Sequence, residues 1–261
     1  MKLKFLGVGG AFCDSNQYQS NCAIEIDDKL FLIDCGSDIR FSLKEQYPLI
    51  NNGNISDYVK WVYISHLHGD HCHGLEWLGY CTYFNPSASK PILIGDSNVI
   101  HSLWDYTLKG TMGDVKGKEL KLNDFFEIMD SDCSNRNLMI GDKEQMLLTL
   151  VESPHVDPYK KSFGLFIETP RRKTYYTSDV NDSNMVVNKK YYEHADIIFH
   201  DCETYKFHSG VHAHYESLKN LPYNIKEKIW LYHYSDDAID KYDPVFDGFS
   251  GFCKKGDWFQ I

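Results

Sequence analysis

The stretch SHLHGDHCHG (65–74) contains four histidines and one aspartate within ten residues, in a chain that has 12 histidines in all. It overlaps the end of KWVYISH (60–66), an apolar segment that is typical of a buried β-strand. Imidazoles gathered at the end of a strand indicate a metal site, and the simplest alternative is a polar loop in solvent. A metal site also requires ligands from other parts of the chain.

The spacing within this stretch predicts how the ligands divide between two metal ions. His66 and His68 lie on the same side of an extended backbone, because side chains alternate along a strand, and together they can bind one ion. Asp70 and His71 follow Gly69, where the chain turns, and can bind a second ion beside the first. Imidazole and carboxylate groups suit Zn²⁺, with Mn²⁺ or Fe as the alternatives.

Four further apolar segments end in histidine or aspartate. Their last residues are His155 in VESPH, Asp179 in YYTSD, His200 and Asp201 in IIFHD, and His233 in WLYH. Ligands at the carboxyl ends of strands converge on one rim of a sheet. Two cations held about 3.5–4 Å apart need a bridging carboxylate, and Asp179 is the best candidate for it. The sequence therefore predicts a dinuclear metal centre.

The whole chain has the composition of one globular domain spanning residues 1–261. It contains 43% hydrophobic and 25% charged residues, without repeats or a linker rich in proline and glycine. No apolar run reaches the roughly 18 residues of a membrane span, and the amino terminus lacks the pattern of a signal peptide. The eight cysteines form no CxxC pair, so we expect reduced thiols and a cytoplasmic protein.

Alternating and continuous apolar patterns predict an α/β protein with a β-rich sandwich core. The predicted strands cover 2–8, 22–27, 29–35, 60–66, 91–95, 145–152, 163–169, 173–179, 195–201 and 228–234. The predicted helices cover 37–47, 73–84 and 97–106.

SHLHGDH resembles the HxHxDH signature of the metallo-β-lactamase superfamily, and His155, Asp179 and His233 match its remaining ligand positions. LIDCG (32–36) resembles the strand-end aspartate motif that precedes HxHxDH. By this resemblance Asp34 supports the metal ligands and does not itself bind metal. The resemblance implies an αββα sandwich in which Asp179 bridges the two ions. One ion would be held by His66, His68 and His155, and the other by Asp70, His71 and His233. The β-lactamases of this superfamily carry cysteine where Asp179 stands, which disfavours antibiotic hydrolysis.

HDCETYKFHSGVHAHYESL (200–218) resembles the paired HEAT and HST motifs of tRNA 3′-processing endonucleases and of their phosphodiesterase relatives. In this match Asp201 stands for the glutamate of the first motif and His214 for the histidine of the second. The resemblance implies that Asp201 keeps His214 protonated and oriented to donate a proton to a leaving alkoxide. Glu203 is a competing candidate for the carboxylate, and a helix-capping or surface histidine is the alternative for His214. No role in the site is expected for His200, His208, His212, Cys72 or His73.

The same resemblance bears on the substrate. The tRNA endonucleases insert a long tRNA-binding arm between the third and fourth ligand motifs, whereas Asp179 follows His155 by only 24 positions here. The net charge of −10 also argues against a nucleic-acid substrate, because binding a polyanion needs clustered Lys and Arg. A small phosphodiester is the more suitable substrate class, since bound cations would make the electrostatic potential at the site positive despite the negative net charge.

The chain most resembles the compact cyclic-nucleotide phosphodiesterases of this superfamily, which include the phage anti-Pycsar proteins. That resemblance implies hydrolysis of 3′,5′-cyclic nucleotides, with the cyclic pyrimidine messengers of antiviral signalling as substrates, and a homodimer. Asp70 is then expected both to bind metal and to orient the attacking water. The alternatives are a tRNA 3′ endonuclease, a hydrolase of another small ester, and a binding module that sequesters a nucleotide.

WDYTLKGTMGD (104–114) is a candidate lid, because its aromatic residues could stack on a base and its glycines allow hinge motion. If Trp104, Tyr106 and Met112 are exposed, burial against a second copy would remove an apolar surface. Each segment would then serve the opposite site of a two-fold dimer. An ordinary helix end followed by a turn is the alternative.

Overall fold

The computed structural model describes residues 1–14, 16–52, 54–132, 134–157 and 160–261. Within these residues, two mixed seven-stranded β-sheets form the main body, and a short two-stranded hairpin lies apart from them. Helices connect the strands of both sheets. This arrangement confirms the predicted αββα sandwich.

The strands follow the chain in this order: β1 (Lys2–Phe5), β2 (Cys22–Ile26), β3 (Lys29–Ile33), β4 (Val59–Tyr63), β5 (Ile92–Asp96), β6 (Asp114–Val115), β7 (Lys118–Glu119), β8 (Glu127–Ser131), β9 (Asn137–Ile140), β10 (Met146–Asp157), β11 (Lys160–Glu168), β12 (Lys173–Tyr176), β13 (Ile197–Asp201), β14 (Ile229–Tyr232), β15 (Gly251–Phe252) and β16 (Trp258–Gln260). The first sheet has the order β16-β1-β2-β3-β4-β5-β8, and the second has the order β15-β14-β13-β12-β11-β10-β9.

The α-helices are short and lie between the strands: α1 (Ile39–Gln46), α2 (Gly69–Cys72), α3 (Leu75–Tyr83), α4 (Ser97–Leu103), α5 (Lys109–Met112), α6 (Leu122–Phe125), α7 (Asn184–Val187), α8 (Lys189–His194), α9 (Tyr215–Leu218), α10 (Tyr223–Lys226) and α11 (Ala238–Lys241). Two 3₁₀ turns cover Pro48–Asn52 and Ile55–Asp57, and a π-helical turn at Trp104–Leu108 joins α4 to α5.

The core lies between the two sheets and is rich in aromatic residues. Phe5 on β1 packs edge-on against Phe199 on β13, with ring centroids 5.2 Å apart, and also contacts Tyr232 on β14. The hydroxyl of Tyr63 on β4 donates to the carbonyl of Phe163 on β11 at 2.7 Å. These side chains are fully buried, so the contacts remove a large apolar area from water and fix the spacing between the sheets.

Parallel pairing brings the ends of several strands to one edge of each sheet. The strands β3, β4 and β5 are mutually parallel neighbours in the first sheet. In the second sheet β12, β13, β14 and β15 are parallel neighbours. The segments that follow these strands therefore leave the sandwich at a common rim, where the predicted ligands lie.

The ten predicted strands and three predicted helices are all present, with shifted ends. The predicted strand 145–152 extends to Asp157, whereas the predicted strand 173–179 ends at Tyr176 because the chain turns there to present Asp179. Four strands of the two main sheets were not predicted from the sequence, namely β8, β9, β15 and β16. They are short or half-exposed, and a short edge strand lacks the apolar run by which buried strands are recognised.

In the part of the chain that the structure describes, no helix combines the length and the apolar character needed to cross a membrane. The described cysteines are free thiols, and five of them are buried: Cys22, Cys35, Cys72, Cys202 and Cys253.

Candidate metal centre and active site

Three imidazoles converge at the rim to form the first cluster. His66 Nε2 lies 3.0 Å from His68 Nδ1, and His155 Nε2 lies 3.3 Å from the same His68 atom. Asp179 Oδ2 lies 3.7 Å from His66 Nε2 and 3.8 Å from His155 Nε2. Ligand atoms around a tetrahedral zinc ion with bonds of about 2.0–2.1 Å are separated by roughly 3.3 Å. The four side chains therefore have the spacing of one metal site.

The second cluster shares Asp179 with the first. His71 Nε2 lies 3.2 Å from Asp179 Oδ2 and 3.4 Å from Asp70 Oδ2. His233 Nε2 lies 3.5 Å and 3.3 Å from the same two oxygens. In each cluster the candidate ligand atoms all lie within 4.8 Å of one another. The structure thus brings together all seven residues that the sequence predicts as metal ligands.

The backbone adopts an unusual conformation at three points that position these side chains. Asp34, Ser178 and His233 have φ values of 65°, 54° and 66°, which is the left-handed region that residues other than glycine rarely enter. Asp34 and His233 directly follow β3 and β14, and Ser178 precedes Asp179. Left-handed residues of this kind are concentrated at functional sites, where the surrounding structure offsets the strain.

Each of four ligand imidazoles has a partner that selects which ring nitrogen faces the cluster. Asp34 Oδ2 accepts from His71 Nδ1 at 2.8 Å, in agreement with the supporting role predicted for it. The Val211 carbonyl accepts from His155 Nδ1 at 2.7 Å, and Ser65 Oγ lies 3.0 Å from His66 Nδ1. Asp201 Oδ1 lies 3.3 Å from His233 Nδ1. These contacts leave Nε2 of each of these four rings directed at the cluster, in keeping with metal-binding histidines, whose other ring nitrogen usually has such a partner.

Burial and charge in the clusters favour a bound cation. Among the described buried groups, His71 Nε2 and Asp179 Oδ1 have no hydrogen-bond partner. Burial raises the pKa of Asp179, but the adjacent imidazoles of His233 and His71 outweigh it and hold that pKa well below its usual range. Burial likewise lowers the pKa of His66, as do its imidazole neighbours. Burial lowers the pKa of His71 and of His233 too, but the Asp179 carboxylate outweighs burial and both pKa values are raised well above their usual range. A divalent cation would take the place of those protons between the carboxylates and the imidazoles, which is the donor set that zinc binds, so these residues fit a metal ion.

The predicted contact between Asp201 and His214 is wrong, because His212 occupies that place. Asp201 Oδ2 accepts from His212 Nδ1 at 2.8 Å and from the Val180 amide at 2.9 Å. The His212 ring stacks on His233 with centroids 4.7 Å apart, and its Nε2 has no partner among the described residues. Burial lowers the pKa of His212, but the Asp201 carboxylate outweighs burial and the pKa is raised overall.

His214 caps helix α9 instead. Its Nδ1 accepts from the Glu216 amide at 3.2 Å, and its Nε2 donates to the Tyr205 carbonyl at 2.8 Å, so both ring nitrogens are occupied. The position of His214 directly before the helical segment YESL is the sequence signal that favours a cap. Glu203, the competing carboxylate, is also engaged elsewhere, because it accepts from the Ser209 amide at 2.9 Å.

Comparison with known proteins agrees with this geometry. The family model described as "Anti-Pycsar protein Apyc1" matches residues 1–259. The chain belongs to the anti-Pycsar protein Apyc1 family. An Apyc1 protein of Paenibacillus sp. (strain J14) is 32% identical over 243 residues, covering 91% of this chain and 90% of that protein. An Apyc1 protein of Bacillus phage vB_BveM-Goe7 is 28% identical over 251 residues, covering 91% and 90%.

Solved structures place the Apyc1-family chain in the expected fold. The metallo-β-lactamase fold protein YhfI from Bacillus subtilis superposes with a TM-score of 0.72 at 17% sequence identity, covering 99% of this chain and 98% of that one. At this identity the likeness shows the fold alone. Together with the two clusters, family membership indicates a metal-dependent hydrolase.

A cavity of roughly 700 Å³ opens beside the first cluster of this Apyc1-family chain. It is bounded by the loop after β4, by α4 with the π-helical turn, and by the β10–β11 hairpin. The candidate lid is helical rather than a loop, and two of the three residues that would form an exposed apolar surface are not exposed. Met112 is buried, and Trp104 is partly buried against Phe125, whereas Tyr106 is 82% exposed and lines the cavity. Residues on different faces of the helical segment differ in burial, so Tyr106 remains available for a ligand.

Proposed function

We propose that this protein is a dinuclear-metal phosphodiesterase that hydrolyses 3′,5′-cyclic nucleotides to nucleoside monophosphates. The observation that carries the proposal is that two His/Asp clusters share Asp179, border the cavity through the first cluster and contact the His212–Asp201 pair. A phosphodiester needs charge stabilisation at phosphorus, a nucleophile and a proton for the leaving group. The cavity is of the size that small-molecule sites usually have, about 300–1,000 Å³.

The residues of the two clusters would hold two divalent cations, with zinc as the expected metal and Mn²⁺ or Fe as alternatives. The first would be held by His66, His68 and His155, the second by Asp70, His71 and His233, and Asp179 would serve both. When bound, such a pair supplies positive charge for the phosphate oxygens and a water molecule of lowered pKa.

The side chains of this chain supply orientation and the proton. Asp70 is buried at the second cluster and would accept a hydrogen bond from the attacking water, in addition to binding metal. The water oxygen bonds to phosphorus, one ester P–O bond breaks, and His212 Nε2–H gives its proton to the departing ribose oxygen. Asp201 orients the His212 ring and stabilises its protonated form through the Nδ1–H contact.

Family membership supports the substrate class and the biological role. The relatives that match across about nine-tenths of this chain are named anti-Pycsar proteins, and several come from bacteriophages. The role we assign is destruction of cyclic pyrimidine messengers of antiviral signalling in the bacterial cytoplasm. The net charge of −10 is consistent with a small substrate that is recognised at a metal centre rather than a long polyanion.

A substrate panel tests this proposal. Purified protein should hydrolyse 3′,5′-cyclic CMP and UMP at catalytic enzyme concentrations, should leave precursor tRNA intact, and should contain about two metal ions per chain by elemental analysis. Chelation should remove both the metal and the activity. Cleavage of precursor tRNA with no turnover of any cyclic nucleotide would overturn the substrate class. Stoichiometric binding without product would overturn the assignment as an enzyme.

A further inference from the structure

The left-handed backbone at Ser178 directly precedes Asp179, the carboxylate that both clusters share. Its φ of 54° is one that residues other than glycine rarely adopt. Asparagine and aspartate can support this conformation through hydrogen bonds of their own side chains. Ser178 does not, because its buried Oγ has no hydrogen-bond partner among the described residues. The support for this turn therefore comes from neighbouring groups.

The Thr177 hydroxyl supports the turn and joins it to β13. Thr177 directly follows β12 and is fully buried. Its Oγ1 lies 2.8 Å from the Ser178 carbonyl oxygen and 3.1 Å from the Asp201 amide nitrogen. An amide can only donate a hydrogen bond and a carbonyl can only accept one, so Thr177 Oγ1 accepts from Asp201 and donates to Ser178. Both bonds of the hydroxyl therefore have a fixed direction.

These two bonds belong to a set of contacts that encloses Asp179. The Val180 amide donates to Asp201 Oδ2 at 2.9 Å, so Asp201 is joined to the chain both before and after the shared carboxylate. Ser162 Oγ also donates to the Asp179 carbonyl at 3.1 Å. Thr177, Asp201 and Ser162 are fully buried, so solvent does not readily replace these bonds. The positions of Asp179 and Asp201 therefore depend on the same hydroxyl.

We propose that Thr177 is a positioning residue that couples the shared metal ligand to the proposed proton donor. Its hydroxyl holds Ser178 in the left-handed region, which directs Asp179 at both clusters. The same hydroxyl anchors the backbone of Asp201, whose carboxylate accepts from His212. The part that concerns His212 rests on the proposed function, whereas the part that concerns Asp179 depends on metal binding alone.

The zinc affinity of the full-length apo protein, measured by competition with a chromophoric chelator, provides the first test. Thr177→Val keeps the shape of the side chain but leaves the Ser178 carbonyl and the Asp201 amide without their partner. Because Asp179 serves both clusters, the Kd of each zinc ion should rise by roughly 10–100-fold, the usual effect of losing a group that orients a metal ligand. Thr177→Ser retains the hydroxyl and should bind zinc as tightly as the native protein.

Thr174→Val is the matched control, since it makes the same change on β12. Thr174 is buried, and its Oγ1 has no hydrogen-bond partner in the part of the chain that the structure describes. Its replacement by valine should therefore leave the zinc affinity unchanged. A fall in affinity equal to that of Thr177→Val would show a general effect of altering the strand and would overturn the inference.

A double substitution separates positioning of the turn from a general loss of stability. Ser178→Gly removes the conformational cost, because glycine adopts positive φ readily. Thr177→Val should therefore weaken zinc binding less in the Ser178→Gly background than in the native chain. If Thr177→Val alone is too unstable to purify, the double variant should still fold and bind two ions. Failure of the double variant to fold, or an equal loss of affinity in both backgrounds, would overturn the inference.

The dependence on the leaving group tests the connection through Asp201 to His212. Zinc-saturated Thr177→Val should lose more kcat on cyclic CMP than on a p-nitrophenyl phosphodiester, whose leaving group needs no proton. An equal loss on both substrates would overturn this connection, and native zinc affinity in Thr177→Val would overturn the role toward Asp179, while the proposed function would stand in both cases. The expected zinc affinities without turnover of any cyclic nucleotide would confirm the role toward Asp179 and overturn the proposed function.

Discussion

The segments 66–68 and 212–214 each consist of two histidines separated by one residue, and the molecule uses the two pairs differently. In each pair the second histidine precedes a short helix: His68 precedes α2 and His214 precedes α9, both with extended backbone dihedrals. The His68 ring makes no cap hydrogen bond and lies in the first metal cluster beside His66. The His214 ring caps its helix, and only His212 of that pair faces the site. Equal spacing therefore does not imply an equal role.

The physical difference lies in what surrounds the second histidine of each pair. His68 lies against other imidazoles, with His155 Nε2 3.3 Å from its Nδ1. His214 lies between the Glu216 amide and the Tyr205 carbonyl, which take up both of its nitrogens. A ring nitrogen that satisfies a backbone group cannot also bind metal or move a proton. The predictions that follow test this division, from the largest expected effect to the smallest.

Removing the carboxylate shared by both clusters should have the largest effect. Asp179→Asn eliminates the negative charge that serves both cations, so metal content measured by elemental analysis should fall. Turnover should fall further than the roughly 10²–10⁴-fold typical of losing a proton donor. Asp182→Asn is the matched control, because Asp182 accepts from the His214 amide at 3.0 Å and lies outside both clusters. Full metal occupancy in Asp179→Asn would contradict its bridging role.

Removing His212, the proposed proton donor, should impair chemistry without emptying the metal site. His212→Ala should lower kcat on cyclic nucleotides by roughly 10²–10⁴-fold while metal content stays near two ions per chain. The loss should be much smaller for a p-nitrophenyl phosphodiester, because that leaving group departs without protonation. If His212→Ala loses metal, or if its kcat falls by the same factor for both kinds of substrate, the assignment of His212 as proton donor is wrong.

Tyr106 should affect substrate binding more than chemistry. Its ring is exposed and lines the cavity. Stacking of a base on an aromatic ring contributes roughly 1–3 kcal/mol to binding, so Tyr106→Ala should raise KM with metal content unchanged.

A homodimer that shares this residue across its two-fold axis stays a prediction from the family resemblance. Mixing Tyr106→Ala with metal-deficient His66→Ala chains should partly restore activity if Tyr106 serves the opposite site. Sedimentation as a monomer would exclude that arrangement.

Replacing His214 should change stability rather than catalysis. His214→Ala removes the cap of α9, which should lower the free energy of unfolding by about 0.5–2 kcal/mol, and kcat should remain within the same order of magnitude. His214→Asn should recover most of the stability, since asparagine is a good cap. Denaturant unfolding and steady-state kinetics on the same preparations provide the measurement. A catalytic loss in His214→Ala as large as that in His212→Ala would remove the distinction between the two histidines.

The convergence of the seven candidate ligands could be predicted from the sequence because strand ends and ligand spacing are local properties. HxHxDH and the His and Asp residues at or shortly after the ends of β12, β13 and β14 can be read directly, and parallel pairing brings them together. The histidine that pairs with Asp201 could not be assigned in the same way. Which of His212 and His214 faces Asp201 depends on how the segment from Glu203 to His214 turns, and on which backbone amides α9 leaves without a partner. Neither is encoded in the spacing of the two histidines.

The cavity was the least predictable part of the site. The segment 104–114 reads as aromatic and glycine-containing, which suggested an exposed loop. In the structure it continues α4 through a π-helical turn, and the extra residue in that turn determines which side chains point inward. Met112 is therefore buried and Tyr106 is exposed, an outcome that follows from helical phase and not from composition.

The hydrogen bond from His155 Nδ1 to the Val211 carbonyl has a consequence for how this protein can vary. Surface loops normally accept insertions and deletions more readily than the strands that they connect. Here the carbonyl that orients a metal ligand belongs to the residue directly before His212, so adding or removing one residue between Tyr205 and Val211 would displace both at once. Selection for activity from a library of this segment should recover many changes of side chain and no change of length. The segment should therefore tolerate changes of side chain but not a change in the number of its residues.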